Sequence, residues 1–146
     1  MSAPELRTER LRLVPLDADE MRLLLENWPA LQQRLHAKAH PTWMTERQTL
    51  GAARRHRDRM LREPEAWMWW TFWQVVLARE GESVGLVDFK GPPGSEGGVV
   101  IGCSFSPAHW DRGYATEAVA SLLAWAFGHA SVRFIAADTD VANLPA

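Results

Sequence analysis

A single cysteine, Cys103, and a single tyrosine, Tyr114, occur among 146 residues. One thiol cannot form an internal disulfide, so no covalent framework substitutes for a hydrophobic core. No apolar run approaches the roughly 18 residues that a transmembrane helix needs, so no membrane span is expected. The N-terminal stretch MSAPELRTER lacks the basic-then-apolar pattern of a secretory signal, which points to a cytoplasmic protein. A formal charge of −2 leaves no general attraction for nucleic acid, whose binding depends on neutralising phosphates. His36, His40, His56, His109 and His129 fall at no spacing typical of a metal site, so no metal is expected. Repeats, low-complexity tracts and long linkers are also missing, and residues 1–146 read as a single domain.

What is present is an alternation of strand and helix signals. Leu11 to Leu16 has the alternation of a first strand, with Pro15 near its end. Asp17 and Asp19 offer cap oxygens to a helix through Met21, Leu23, Leu24 and Leu25, and Asn27-Trp28-Pro29 breaks it before a second apolar pattern at Leu31 and Leu35. Thr45 and Gln48 have the form of a capping box opening an arginine-rich helix that ends near Pro64. The run from Met68 to Ala78 is rich in aromatic and β-branched residues and predicts a strand, with a turn at Arg79 to Glu82 and a returning strand at Ser83 to Phe89. Another strand is predicted at Val99 to Phe105, a helix at Thr116 to Phe127 closed by Gly128, and a last strand at Val132 to Ala137. The order implies a mixed α/β (α+β) domain with an antiparallel meander and a final strand parallel to the one before the last helix. Eight tryptophans are many for this length; Trp67, Trp69 and Trp73 are expected on one face of their strand and Trp70 on the other.

Chemistry concentrates at 106–118, where a strand passes into a helix through a turn containing Gly113. A helix N-terminus presents unpaired N–H groups and a positive dipole end, and a small residue there lets an anion approach the backbone. Many such units bind nothing, so this pattern alone leaves both readings open. His109 is read as an exposed loop histidine, Glu117 as a favourable charge at the helix start that is also able to pair with Arg112, and Cys103 as a small hydrophobe in a half-buried strand.

The run Arg112-Gly113-Tyr114-Ala115-Thr116-Glu117-Ala118 resembles the pyrophosphate-binding turn of the GNAT N-acetyltransferase superfamily. Thr8-Glu9-Arg10-Leu11-Arg12-Leu13 is similar to the first strand of the branch containing ribosomal-protein N-terminal acetyltransferases. Phe89-Lys90-Gly91-Pro92-Pro93 with Ile101-Gly102 resembles its central hairpin, and Asp138 to Asn143 its fifth strand's end. The resemblance implies a GNAT-like, mostly antiparallel central sheet with helices on both faces, whose fourth and fifth strands splay apart around acetyl-CoA. The pantetheine arm would lie along Cys103, Ser104, Phe105 and Ser106, with the Ser104 and Phe105 amides nearest the thioester carbonyl. The pyrophosphate would sit on Asp111, Arg112, Gly113, Tyr114, Ala115 and Thr116, and Asn143 would reach the pantetheine. The implied reaction is direct transfer of an acetyl group to the primary amine of a peptide N-terminus or small molecule. Such an amine must first lose a proton, so a base is required.

Several positions depart from the family pattern. Val100 stands where relatives commonly carry a glutamate, Trp110 where glutamine or arginine is frequent, and Ala146 where a serine is frequent. Asp88, Glu96 and Ser104 remain as proton-relay candidates, each with an ordinary structural reading beside it; Ser104 is the candidate catalytic residue, through its backbone or as a relay. Relatives also continue through another helix and two strands, so the last helix and strands are expected to be missing, and an exposed sheet edge would favour a homodimer. The rival readings are a non-catalytic acyl-CoA-binding relative and a truncated fragment.

Overall fold

The computed structural model describes residues 5–39 and 47–137. The strands are β1 (Leu6–Arg7), β2 (Leu11–Pro15), β3 (Lys38–Ala39), β4 (Phe72–Leu77), β5 (Glu82–Phe89), β6 (Gly98–Phe105) and β7 (Phe134–Ala137). The helices are α1 (Ala18–Glu26), α2 (Trp28–Leu35), α3 (Arg47–Arg62), the single turn α4 (Trp67–Trp70) and α5 (Tyr114–Phe127). One sheet has the order β1-β2-β4-β5-β6-β7, with β3 pairing the start of β5. The meander β4-β5-β6 is antiparallel and β6-β7 parallel, as the sequence order implied. The mixed, mostly antiparallel sheet has helices on both faces.

Local chemistry accounts for the element ends. Asp17 caps α1 through the Glu20 N–H while the Glu20 carboxylate accepts from the Asp17 N–H, a reciprocal capping box. Asn27 ends α1 and, through its side-chain oxygen, accepts from the Ala30 N–H to start α2, where Pro29 costs no hydrogen bond. The capping box read at Thr45 and Gln48 involves residue 45, which lies outside the described residues, as do Asp138 to Asn143.

Two apolar clusters occupy the two sheet faces. Leu11, Leu13, Trp73, Val75, Val87, Phe89, Val99, Ile101 and Phe105 pack with α5 through Ala118, Leu122 and Ala126. On the other face Val76, Leu86 and Phe72 meet α1, α2 and α3 through Met21, Leu24, Leu31, Ala53 and Met60. The tryptophans depart from the two-face expectation. Residues 67–70 form a helical turn, so Trp67 and Trp70, three apart, share a side and pack toward α1–α3, while Trp69 joins Trp73 on the α5 side. Trp125 lies between Trp69 (4.7 Å), Trp73 (5.1 Å) and Phe89 (5.6 Å), ring centre to ring centre. Trp73 and Phe89 are core, and the half-buried Trp69 and Trp125 pack against them.

Candidate functional site

β6 carries one side of the site. The Ser106 N–H donates to the Val84 carbonyl and the Lys90 N–H to the Val100 carbonyl. Because antiparallel bonding alternates, Val100, Gly102, Ser104 and Ser106 exchange bonds with β5, while Val99, Ile101, Cys103 and Phe105 point their main-chain groups the other way. On that other side β7 pairs only Gly98 to Ile101. Among the described residues, the Cys103 and Phe105 amides thus face an open edge, whereas the Ser104 amide is turned toward β5. Of the two amides named from the sequence, that of Phe105 lies on the open edge, together with that of Cys103, and that of Ser104 does not. The Phe105 carbonyl accepts from the Trp110 indole at 2.9 Å, which ties the strand end to the following turn.

That edge leads directly into the N-terminus of α5. Asp111 (φ 63°) and Gly113 (φ 79°) both adopt left-handed backbone, the first tolerated in aspartate and the second favoured by glycine. Gly113 occupies the cap position of α5 and no side chain caps the helix, so its first N–H groups keep their donor capacity. A cavity of about 110 Å³ is lined by Phe105, His109, Trp110, Asp111, Gly113, Tyr114, Ala115 and Thr116. His109 proves buried rather than exposed, at 9% accessibility. Its Nε2 lies 3.3 Å from Glu82, and its buried Nδ1 has no partner among the described residues. A residue beside a turn reads as solvated from sequence; here the short helical turn at Pro107–His109 folds it inward.

The turn is fixed from behind by the first strands. Glu117 accepts from the Thr8 hydroxyl, the Arg10 main-chain N–H (2.9 Å) and the Arg10 Nε (2.7 Å). Partial desolvation of Glu117 is outweighed by these donors, which hold its carboxyl below the ordinary glutamate range. Arg10 also donates to the Arg112 carbonyl at 2.9 Å and lies over the Tyr114 ring at 4.6 Å. Glu117 is therefore paired with Arg10, not Arg112, a contact between residues 107 apart in the chain that no local pattern reveals.

Of the residues read from the sequence, Phe105, Asp111, Gly113, Tyr114, Ala115 and Thr116 line the cavity; Arg112 lies in the same turn and Cys103 on the strand edge leading to it, whereas Ser104 and Ser106 bond to β5, and Asn143 lies outside the described residues. Burial, and next the charge of Asp88, raises the Cys103 thiol above the ordinary range, which disfavours a thiolate. No group of three or more potential metal-ligating side chains occurs among the described residues, and no described helix is long and apolar enough to cross a membrane. Among the described residues, an open strand edge, an uncapped helix start and the Nδ1 of His109 form a polar set suited to an amide-bearing arm ending in phosphates.

Comparisons with known proteins agree with this fold. A similar fold occurs in a GNAT-family acetyltransferase from Bacillus anthracis, at 18% identity and a TM-score of 0.54, over 92% of this chain and 72% of that one. The ribosomal-protein-S5-alanine acetyltransferase from Vibrio fischeri is similar at 15% identity and a TM-score of 0.58, over 92% and 73%. A ribosomal L7/L12 α-N-protein acetyltransferase in complex with coenzyme A is similar at 16% identity and a TM-score of 0.56, over 90% and 72%. No curated protein sequence matches the chain. The model of the acetyltransferase (GNAT) domain family matches residues 10–146, nearly the whole length, and the chain belongs to that family.

Proposed function

We propose that this chain is a single-domain, acetyl-CoA-dependent N-acetyltransferase that acts on a primary amine, either a protein N-terminus such as that of a ribosomal protein or a small-molecule amine. Membership of the GNAT family supplies the general reaction, acetyl transfer to an amine. The observation that carries the finer reading is the continuity of the open β6 edge with the uncapped start of α5 around one cavity. In this reading the main-chain groups of Cys103 and Phe105 pair with the pantetheine arm, and the Phe105 or Cys103 N–H donates to the acyl oxygen. The amides from Asp111 to Thr116 receive the pyrophosphate, His109 Nδ1 adds a donor when it carries a proton, and Asn143 reaches the arm. Acetyl-CoA, when bound, supplies an acyl group already activated as a thioester, so no acyl-enzyme is needed. Ser104 faces the α1–α3 side as a candidate relay. We further propose a cytoplasmic location and a homodimer formed through the β7 side of the sheet.

Calorimetric titration with acetyl-CoA, with CoA and ADP as controls, followed by thiol release in the presence of a panel of primary amines, tests the proposal. Saturable binding and amine-dependent thiol release are expected; a folded chain that binds no acetyl-CoA overturns it. One observation favours a second reading, a non-catalytic acyl-CoA-binding protein: Val100, 36% exposed, puts an apolar group where the family commonly carries its acid. Binding without thiol release from any amine would support that alternative.

A further inference from the structure

Among the described residues, one ion pair joins two titratable side chains that are both buried: His56 on α3 and Asp88 on β5, each 8% exposed. The His56 Nε2 and Asp88 Oδ2 atoms are 3.5 Å apart. His56 Nδ1 meets the Trp70 main-chain oxygen. A carbonyl only accepts, so Nδ1 carries the hydrogen, and in the neutral ring the Nε2 lone pair is turned toward Asp88. Desolvation lowers the His56 pKa although Asp88 pulls it upward, which favours that neutral ring. A single added proton would bridge the two groups. Lys90 Nζ lies 2.8 Å from the same Oδ2, and the positive charges of Lys90 and Arg55 oppose a second charge on His56. Arg59, over the Trp70 ring at 5.2 Å, is a further cation on this side of the pair.

Asp88 is opposite Gly102 in register, and among the described residues Gly102 follows Ile101, the last β6 residue paired with β7. One strand spacing, about 4.8 Å, and a residue without a side chain separate Asp88 from the β6 edge. Its charge reaches that edge, because it adds to burial in raising the Cys103 thiol. Asp88 and Val100 lie on the same sheet face.

We propose that Asp88, positioned by His56, is the proton acceptor for a cationic primary amine approaching from the α1–α3 side of the sheet. This rests on the acetyl-transfer reading given above. An N–H bond of the ammonium breaks and an O–H bond forms at Asp88, the proton being shared with His56 Nε2. The freed nitrogen lone pair then forms the N–C bond to the acyl carbon as the C–S bond breaks. The departing sulfur takes the second nitrogen proton, and Asp88 releases the first to solvent.

Two readouts test this, the first independent of turnover. An NMR titration of the His56 imidazole should move to lower pH in Asp88→Asn, because the attracting carboxylate is gone; an unmoved titration overturns the pairing. In the second, Asp88→Asn should lose about 100-fold in kcat near neutral pH with an unchanged acetyl-CoA Kd. That deficit should narrow as pH rises toward the amine's own pKa, near ~10.4 for an alkylamine. His56→Gln should shift the acid limb of the kcat profile with a smaller loss, and Asp88→Glu should restore part of the Asp88→Asn deficit. If Asp88→Asn does not fold, the His56→Gln profile decides. A wild-type pH profile in Asp88→Asn, or a loss equal at every pH, overturns the proposal while leaving acetyl transfer intact. A wild-type chain that binds no acetyl-CoA removes both readings.

Discussion

Gly113 and Gly85 each make room for something the site needs. At Gly113 the backbone is left-handed, and an added Cβ would lie 3.3 Å from the Arg10 Nη2. Gly113→Ala should cost about 1 kcal/mol of stability from the backbone conformation. Gly113→Glu should in addition weaken acetyl-CoA binding by roughly tenfold, since a charge at a helix start is worth about 1 kcal/mol or more; calorimetry reads the affinity, and an unchanged Kd would remove the turn from the site. At Gly85 an added Cβ would lie 2.4 Å from the Phe105 ring, which covers that position from the paired strand. Gly85→Ala should therefore destabilise the fold by about 1–3 kcal/mol in urea unfolding and weaken binding with it, because displacing Phe105 moves the open edge of β6.

At the scale of elements, the start of α5 is held by β1–β2 and not by its own sequence. No side chain caps it; Glu117 in its first turn is instead gripped by Thr8 and Arg10. Arg10→Ala should loosen the turn and weaken acetyl-CoA affinity severalfold while changing stability little, since solvent screens an exposed ion pair. The Glu117 carboxyl is depressed below its ordinary value of 4.5. Its contribution is thus complete above that pH and is lost as pH falls through the lower folded value. Glu117→Gln should flatten the acid limb of stability in that window, measured by urea unfolding at successive pH values. The resemblance of Thr8 to Leu13 to a family strand was legible in the sequence, but its task was not. Contacts between residues more than a hundred positions apart leave no local periodicity to read.

For the molecule as a whole, two apolar layers and a buried histidine–aspartate pair set the response to mutation and pH. Trp125→Ala should cost about 2–3 kcal/mol, below the loss for a fully buried ring, because it removes the half-buried ring on which Trp69, Trp73 and Phe89 converge. His56 has a folded pKa lowered from 6.5, chiefly by desolvation. The unfolded chain therefore takes up this proton first, so stability should be complete above about pH 6.5 and fall as pH drops toward the folded value; His56→Gln should flatten that decline in thermal unfolding. By itself the sequence determined the meander, the last helix and parallel strand, the glycine turn and the family, because alternation, helical stripes, caps and turn residues are local signals. Only the tertiary structure decided that Trp67 to Trp70 curl into a helical turn, that His109 is buried, that Cys103 rather than Ser104 presents its amide at the open edge, and that His56 meets Asp88. Each of these depends on what packs across the sheet or on hydrogen-bond register between strands, and register is a property of two segments that neither segment encodes alone.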